Sequence, residues 1–220
     1  MKAYFISGLG ADKKAFYKLK LPASYEPVYL DWIPPLPAES MKDYASRLSS
    51  QINVTEKFIL VGLSFGGMIA TEIAKTKKPQ KIILISSVAV SDELPWYFKL
   101  AGRLGLQKIV PATFYKKATL LNHFMGAGSR EDKVMVMSFV QQTDPGFIRW
   151  SVDSILQWQQ HERSDNIVHI HGSNDRLLPL RFTHADHIIH EGRHLMVLNK
   201  AEEINRVLSD VLSNPDSYRD

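Results

Sequence analysis

Three stretches of the chain carry residue types that can do chemistry together. Gly62-Leu63-Ser64-Phe65-Gly66, with Gly67 directly behind, follows the apolar run Phe58-Ile59-Leu60-Val61 and opens a helix-compatible stretch from Met68 to Lys75. A serine on so sharp a strand-to-helix turn needs neighbours with almost no side chain two positions before and after it, and glycine meets that need. Its hydroxyl would stand at the positive end of the following helix, whose unpaired N–H groups favour the negative charge that nucleophilic attack creates. A nucleophilic serine needs a base, the base needs an orienting acid, and the oxyanion needs a second donor. Ile167-Val168-His169-Ile170-His171 ends in Gly172-Ser173-Asn174-Asp175, which puts a carboxylate on a loop at a strand end, so Asp175 is the candidate acid. Glu191-Gly192-Arg193-His194 puts a histidine on a glycine-containing loop before a terminal amphipathic helix, and His194 is the candidate base. Near the N-terminus, Ala3-Tyr4-Phe5-Ile6 runs into Ser7-Gly8-Leu9-Gly10, a glycine turn that can aim a backbone N–H at the serine.

Positioning these groups requires alternating strands and helices, the pattern of a parallel sheet covered on both faces. Apolar runs predict strands at Ala3–Ser7, Pro27–Leu30, Phe58–Gly62, Lys81–Ser86, Ile167–His171 and His187–His190. Ser40-Met41-Lys42-Asp43 reads as a capping-box-like helix start, followed by Met41, Tyr44, Ala45, Leu48 and Ile52 on one face. The last helix places Ile204, Val207, Leu208, Val211 and Leu212 on one side; both stripes read as core rather than cofactor sites. The tail from Asn214 to Asp220 reads as disordered.

With these segments in place, the sequence resembles the α/β-hydrolase superfamily. The order Ser64, Asp175, His194 is that family's chain order, matching its nucleophile elbow, its H-G-x-x-D segment (His171 to Asp175) and its G-x-x-H segment. The resemblance implies an α/β-hydrolase fold, a three-layer sandwich around a mostly parallel sheet of about six strands, trimmed relative to the full family sheet. It also implies an oxyanion hole formed by the backbone N–H groups of Leu9 and Phe65. Many relatives carry His-Gly after the first strand where this chain has Ser7-Gly8, a departure that leaves a backbone donor in place. Some relatives place the acid near Asp92; Asp175 is preferred because its glycine-flanked setting matches the motif.

The alternation breaks between residues 91 and 164, which read as helical and rich in large side chains. By resemblance this segment is a helical lid inserted into a core of residues 1–90 and 165–220, and its inner face would line the substrate pocket. Trp96, Phe124, Phe139 and Trp150 are the candidate lining residues, with packing of the lid against itself as the alternative for each. Gly126-Ala127-Gly128 and Asp144-Pro145-Gly146 read as hinges or ordinary turns, and Arg149 and Arg163 as an exposed face.

Composition fits one catalytic domain of 220 residues. The absence of cysteine excludes disulfides, thiolate metal sites and a cysteine nucleophile, and suits a reducing compartment. Apolar runs are of strand length, no membrane span or signal segment is expected, and the protein reads as cytoplasmic. The formal charge of +4 comes from scattered lysines with no aromatic platform between them, so a solvated face is read rather than a nucleic-acid partner. His184, His187 and His190, like His169 with His171, suggest a metal site only superficially: residues three apart on a strand face opposite sides. No metal or cofactor is expected, the partner is a small-molecule substrate, and the sequence sets no oligomeric state. The expected activity is cleavage of a small carboxylic ester through a Ser-His-Asp triad. The alternatives are a carbon-carbon bond hydrolase or lyase-like enzyme of the same fold, and a non-catalytic ligand-binding module.

Overall fold

A computed structural model of the chain describes residues 1–105, 125–126 and 128–213. Strands β1 (Lys2–Ile6), β2 (Glu26–Tyr29), β3 (Phe58–Leu63), β4 (Lys81–Ile85), β5 (Ile167–Gly172) and β6 (His187–Ile189) build one six-stranded sheet in the order β2-β1-β3-β4-β5-β6. Every pairing is parallel. The predicted strands stand within about a residue of the observed ones because β3 and β5 are buried at every position, so their apolar runs are continuous.

Alternation along each strand divides the core into two layers. Tyr4, Ile6, Leu60, Ile82 and Leu84 face one side, packed under helices α1 (Met41–Leu48) and α2 (Phe65–Lys77). Phe5, Ile59, Val61, Ile83 and Ile85 face the other, under α6 (Met196–Asn199) and α7 (Ala201–Ser213). Ser40 caps α1 as its spacing predicts: its hydroxyl accepts the Asp43 N–H at 3.1 Å and donates to the Asp43 carboxylate at 2.7 Å.

Between β4 and β5 lie α3 (Trp96–Arg103), α4 (Arg130–Gln142) and α5 (Pro145–Gln157), with no strand among the described residues. Asp144-Pro145-Gly146 forms the start of α5. Asp144 caps α5 by accepting the Phe147 N–H at 2.9 Å, and Pro145 takes the first-turn position where a missing N–H costs nothing. Phe124 and Ala127, with Asn214 to Asp220, lie outside the described residues. Among the described residues no helix is long and apolar enough to cross a membrane.

The tightest constraint is where β3 turns into α2. A Cβ at Gly66 would run into the carbonyl oxygens of Ile6 and Ser7, one at Gly62 into the backbone of Gly66 and Gly67, and one at Gly67 into the Ser87 side chain. Backbone packed against backbone cannot give way. Gly66→Ala should therefore lower stability by more than about 2 kcal/mol in urea unfolding. Gly128→Ala, whose added methyl meets only Asn199 at ordinary contact distance, should stay within about 0.5 kcal/mol of the parent.

Candidate active site

In a fully parallel sheet all carboxyl ends share one edge, and the loops leaving β1, β3, β5 and β6 meet there. Ser64 sits between β3 and α2 with φ +52° and ψ −120°, a conformation that L residues rarely adopt. It is held by backbone on both sides. Its N–H donates to Ile85 O at 2.9 Å, and its carbonyl accepts the Gly67 N–H at 2.9 Å and the Ser87 hydroxyl at 2.7 Å. The geometry turns the Ser64 side chain away from the helix and toward the histidine loop.

His194 Nε2 lies 2.8 Å from Ser64 Oγ, and His194 Nδ1 lies 2.7 Å from Asp175 Oδ2. Asp175 is buried, and its other oxygen accepts the N–H groups of Leu177 and Leu178, each at 2.9 Å. Burial alone would raise the Asp175 pKa. Electrostatic attraction to the neighbouring His194 ring, the hydrogen bond from it and the backbone donors outweigh burial and hold the carboxyl below its ordinary value. An ionised Asp175 can only accept, so His194 carries its proton on Nδ1 and offers the Nε2 lone pair to the Ser64 hydroxyl. This arrangement can move a proton from Ser64 to His194 while Asp175 compensates the charge.

The turn after β1 approaches from the other side. A Cβ on Gly8 would stand 3.6 Å from Ser64 Cβ, and Leu9 borders the same cavity as Ser64 and His194. Ser7 fastens this turn: its buried hydroxyl donates to Ala11 O at 2.5 Å, while Ala11 N–H returns to Gly8 O at 2.9 Å. Trp32 adds a third tie, its indole N–H reaching Ala11 O at 3.2 Å and its ring stacking on Phe65 at 5.5 Å. Phe65 N–H belongs to the first turn of α2 and has no acceptor within the helix.

Ser64 and His194 open into a cavity of about 400 Å³ roofed by α3, α4 and α5. Phe139 lines it. Trp96 does not, being 64% exposed on α3, whose inward residues are Phe98 and Ala101. Trp150 does not either. It lies on the opposite face of α5, where its indole donates to Glu39 O at 2.8 Å and its ring packs on Tyr44 at 4.3 Å, in a separate groove. The face of α5 that looks into the cavity carries Ile148, Val152 and Ile155, a spacing of four and three that marks one side of a helix. Among the described residues Thr143 is the remaining polar side chain of the wall, and its hydroxyl points into backbone, toward Phe139 O at 2.5 Å and Gly10 O at 3.1 Å.

The rival acid Asp92 stands at the surface, paired with Lys99 at 3.1 Å and His161 at 2.9 Å. His184 is bonded to the buried Glu93 at 3.2 Å, and Arg163 contacts both Glu93 and Asp186. Among the described residues no group of three or more His, Cys, Asp or Glu side chains is arranged to hold a metal ion.

A sequence profile of the alpha/beta hydrolase family matches residues 3–207. A search of curated protein sequences finds no match. Among solved structures, a thermophilic esterase from Thermogutta terrifontis superposes with a TM-score of 0.70 at 14% identity, covering 97% of this chain and 90% of that one. A hydrolase from Oleispira antarctica does so with a TM-score of 0.72 at 14% identity, covering 97% and 91%. A bromoperoxidase from Bacillus anthracis gives 0.66 at 15% identity, covering 96% and 91%. At these identities the likeness is one of fold.

Behind Asp175, burial depresses the pKa of His171 and pushes that of His169 further down. Both are therefore neutral when folded but bind a proton below pH 6.5 when unfolded. The unfolded chain then holds more protons, and stability falls with pH. Full stability is expected above pH 6.5, declining below it by about 1.4 kcal/mol per pH unit for each histidine until its folded pKa is passed. Urea unfolding between pH 7.5 and 5, compared with His169→Phe, checks this: the substitution should flatten the slope.

Proposed function

The chain belongs to the alpha/beta hydrolase family, and from that premise we propose that it is a serine hydrolase cleaving small, uncharged carboxylic esters through an acyl-enzyme on Ser64. The observation that carries this reading is the unbroken path Ser64 Oγ, His194, Asp175, with separations of 2.8 and 2.7 Å, at the mouth of an apolar cavity. Ser64 Oγ attacks the ester carbonyl carbon as His194 Nε2 takes its proton, and Asp175 stabilises the imidazolium. The carbonyl oxygen becomes an oxyanion facing the backbone N–H groups of Leu9 and Phe65, at the positive end of α2. His194 then protonates the departing alkoxide, leaving Ser64 acylated. Water, deprotonated by His194, attacks the acyl carbon and releases the acid.

The helices of residues 91–164 act in this reading as a lid, and they set the substrate class. Among the described residues the cavity wall contributes no charged side chain, and Thr143 directs its hydroxyl to backbone. A charged acyl group would lose its water and gain no partner, a cost of several kcal/mol. The cavity of about 400 Å³ suits an acyl group of a few carbons.

Ser64→Ala should reduce turnover of 4-nitrophenyl butyrate by about 10⁴-fold or more and abolish labelling by a fluorophosphonate. A folded wild-type protein that the fluorophosphonate leaves unlabelled would instead be a ligand-binding module. Butyryl and hexanoyl esters should exceed the succinyl ester in kcat/KM by about 100-fold or more. Val152→Phe should shift the preference toward acetyl esters while leaving the fluorophosphonate reaction in place.

A further inference from the structure

The triad reading gives Asp175 one partner and leaves unexplained two fully buried histidines standing behind it. His169 and His171 alternate on β5, so their side chains leave the same face of the sheet, and both are inaccessible to solvent. Their rings meet edge to face at 5.0 Å, with His169 Nε2 3.0 Å from His171 Nδ1. His171 Nε2 lies 2.7 Å from Leu178 O and 3.6 Å from Asp175 Oδ2. Leu178 is thus gripped from both sides: its carbonyl by His171, its N–H by Asp175 Oδ1 at 2.9 Å.

We propose that His169 and His171 form a positioning couple for Asp175, His171 pinning the Asp175–Leu178 turn and His169 fixing the tautomer that lets it do so. The inference rests on the Ser64, His194, Asp175 reading of the site. The proton count follows from the acceptors. Leu178 O can only accept, so His171 carries its proton on Nε2, and in a neutral ring Nδ1 is then an acceptor. His169 must supply the donor from Nε2, which leaves its own Nδ1 bare, and that buried nitrogen has no hydrogen-bond partner among the described residues. The backbone of Ser87 and His184 favours a proton at His169, but burial, the larger effect, together with the neighbouring His171 and Arg163, keeps the ring neutral. The pair is accordingly a chain of two aligned N–H donors ending beside the Asp175 carboxylate. The charged and titratable groups around it are Asp175, His194 and Glu93 at the His171 end and Arg163 and Asp186 at the His169 end.

A positioning role predicts more than loss of stability. Leucine at 171 removes the grip on Leu178, so Asp175 loses register with His194 Nδ1 and stabilises the imidazolium less. In His171→Leu, kcat for 4-nitrophenyl butyrate should fall at least tenfold with KM within twofold. The acid limb of kcat/KM should also move to lower pH, because His194 protonates less readily. His171→Gln, whose amide N–H reaches about as far as Nε2, should recover most of both losses. Imidazole ¹⁵N spectra of the wild type should show both rings neutral with Nε2 protonated, and His169→Leu should convert His171 to a mixture of tautomers. A folded His171→Leu with wild-type kcat and pH profile would overturn the proposal, as would a wild-type spectrum with Nδ1 protonated on His171. Should leucine at 171 fail to fold, the ¹⁵N spectra and the kcat of His169→Leu decide in its place. Fluorophosphonate labelling separates the two readings: no reaction at Ser64 in wild type sinks the triad, whereas equal labelling rates in wild type and His171→Leu sink only the couple.

Discussion

The arrangement of the site depends on one contact between pieces of main chain. The first turn of α2 lies directly on the carbonyls that end β1, with only Gly66 able to stand between them, while Gly62 and Gly67 close on each other across the turn. Side chains could not set this spacing so narrowly, since they repack, whereas two backbones in contact have a fixed minimum separation. That contact brings the β1 exit loop beside Ser64, and the parallel order of the sheet brings the β5 and β6 exits to the same edge. The positive φ of Ser64 is the local strain that accompanies it.

Electrostatics follow the same logic of fixed partners in place of solvent. A buried carboxylate left alone costs several kcal/mol, and Asp175 meets that cost with two backbone donors and the His194 ring, plus the His171 edge nearby. On the far side of Ser64, the apolar cavity keeps the local dielectric low, so the backbone dipoles at the start of α2 act at greater strength than they would in water. The Ser7 hydroxyl and the Trp32 indole both hold the Gly8–Ala11 turn through Ala11 O, so this loop is fixed by donors from two elements.

Much of this was legible in the residues themselves. Strands buried on both faces leave unbroken apolar runs, and Phe58–Leu63 needs nothing beyond its own sequence to be read as one. That Ser64, Asp175 and His194 would be brought together was legible because each sits close to glycines that backbone geometry demands. The cavity wall was not. Trp150 and Val152 are both apolar positions of α5, and which of them faces Ser64 is decided by the Glu39 carbonyl and the Tyr44 ring, more than a hundred residues away. Trp96 was a large side chain in the right segment, yet α3 turns Phe98 and Ala101 inward instead. His169 and His171 announced their shared face by alternation, but the bond between them and the grip on Leu178 exist only once β5 and its exit loop are folded together.

The segment between β4 and β5 is tied to the loops it covers. Thr143 reaches Gly10 O in the turn beside Leu9, and Leu195 N–H, next to His194, donates to Met125 O at 2.9 Å, with Asn199 holding Gly126 O at 3.2 Å. The roof and the floor therefore share hydrogen bonds at two corners. The positions of the two loops beneath are therefore set from above as well as from the sheet edge, and the backbone beside Leu9 and His194 is fixed by a segment that is far from both in sequence.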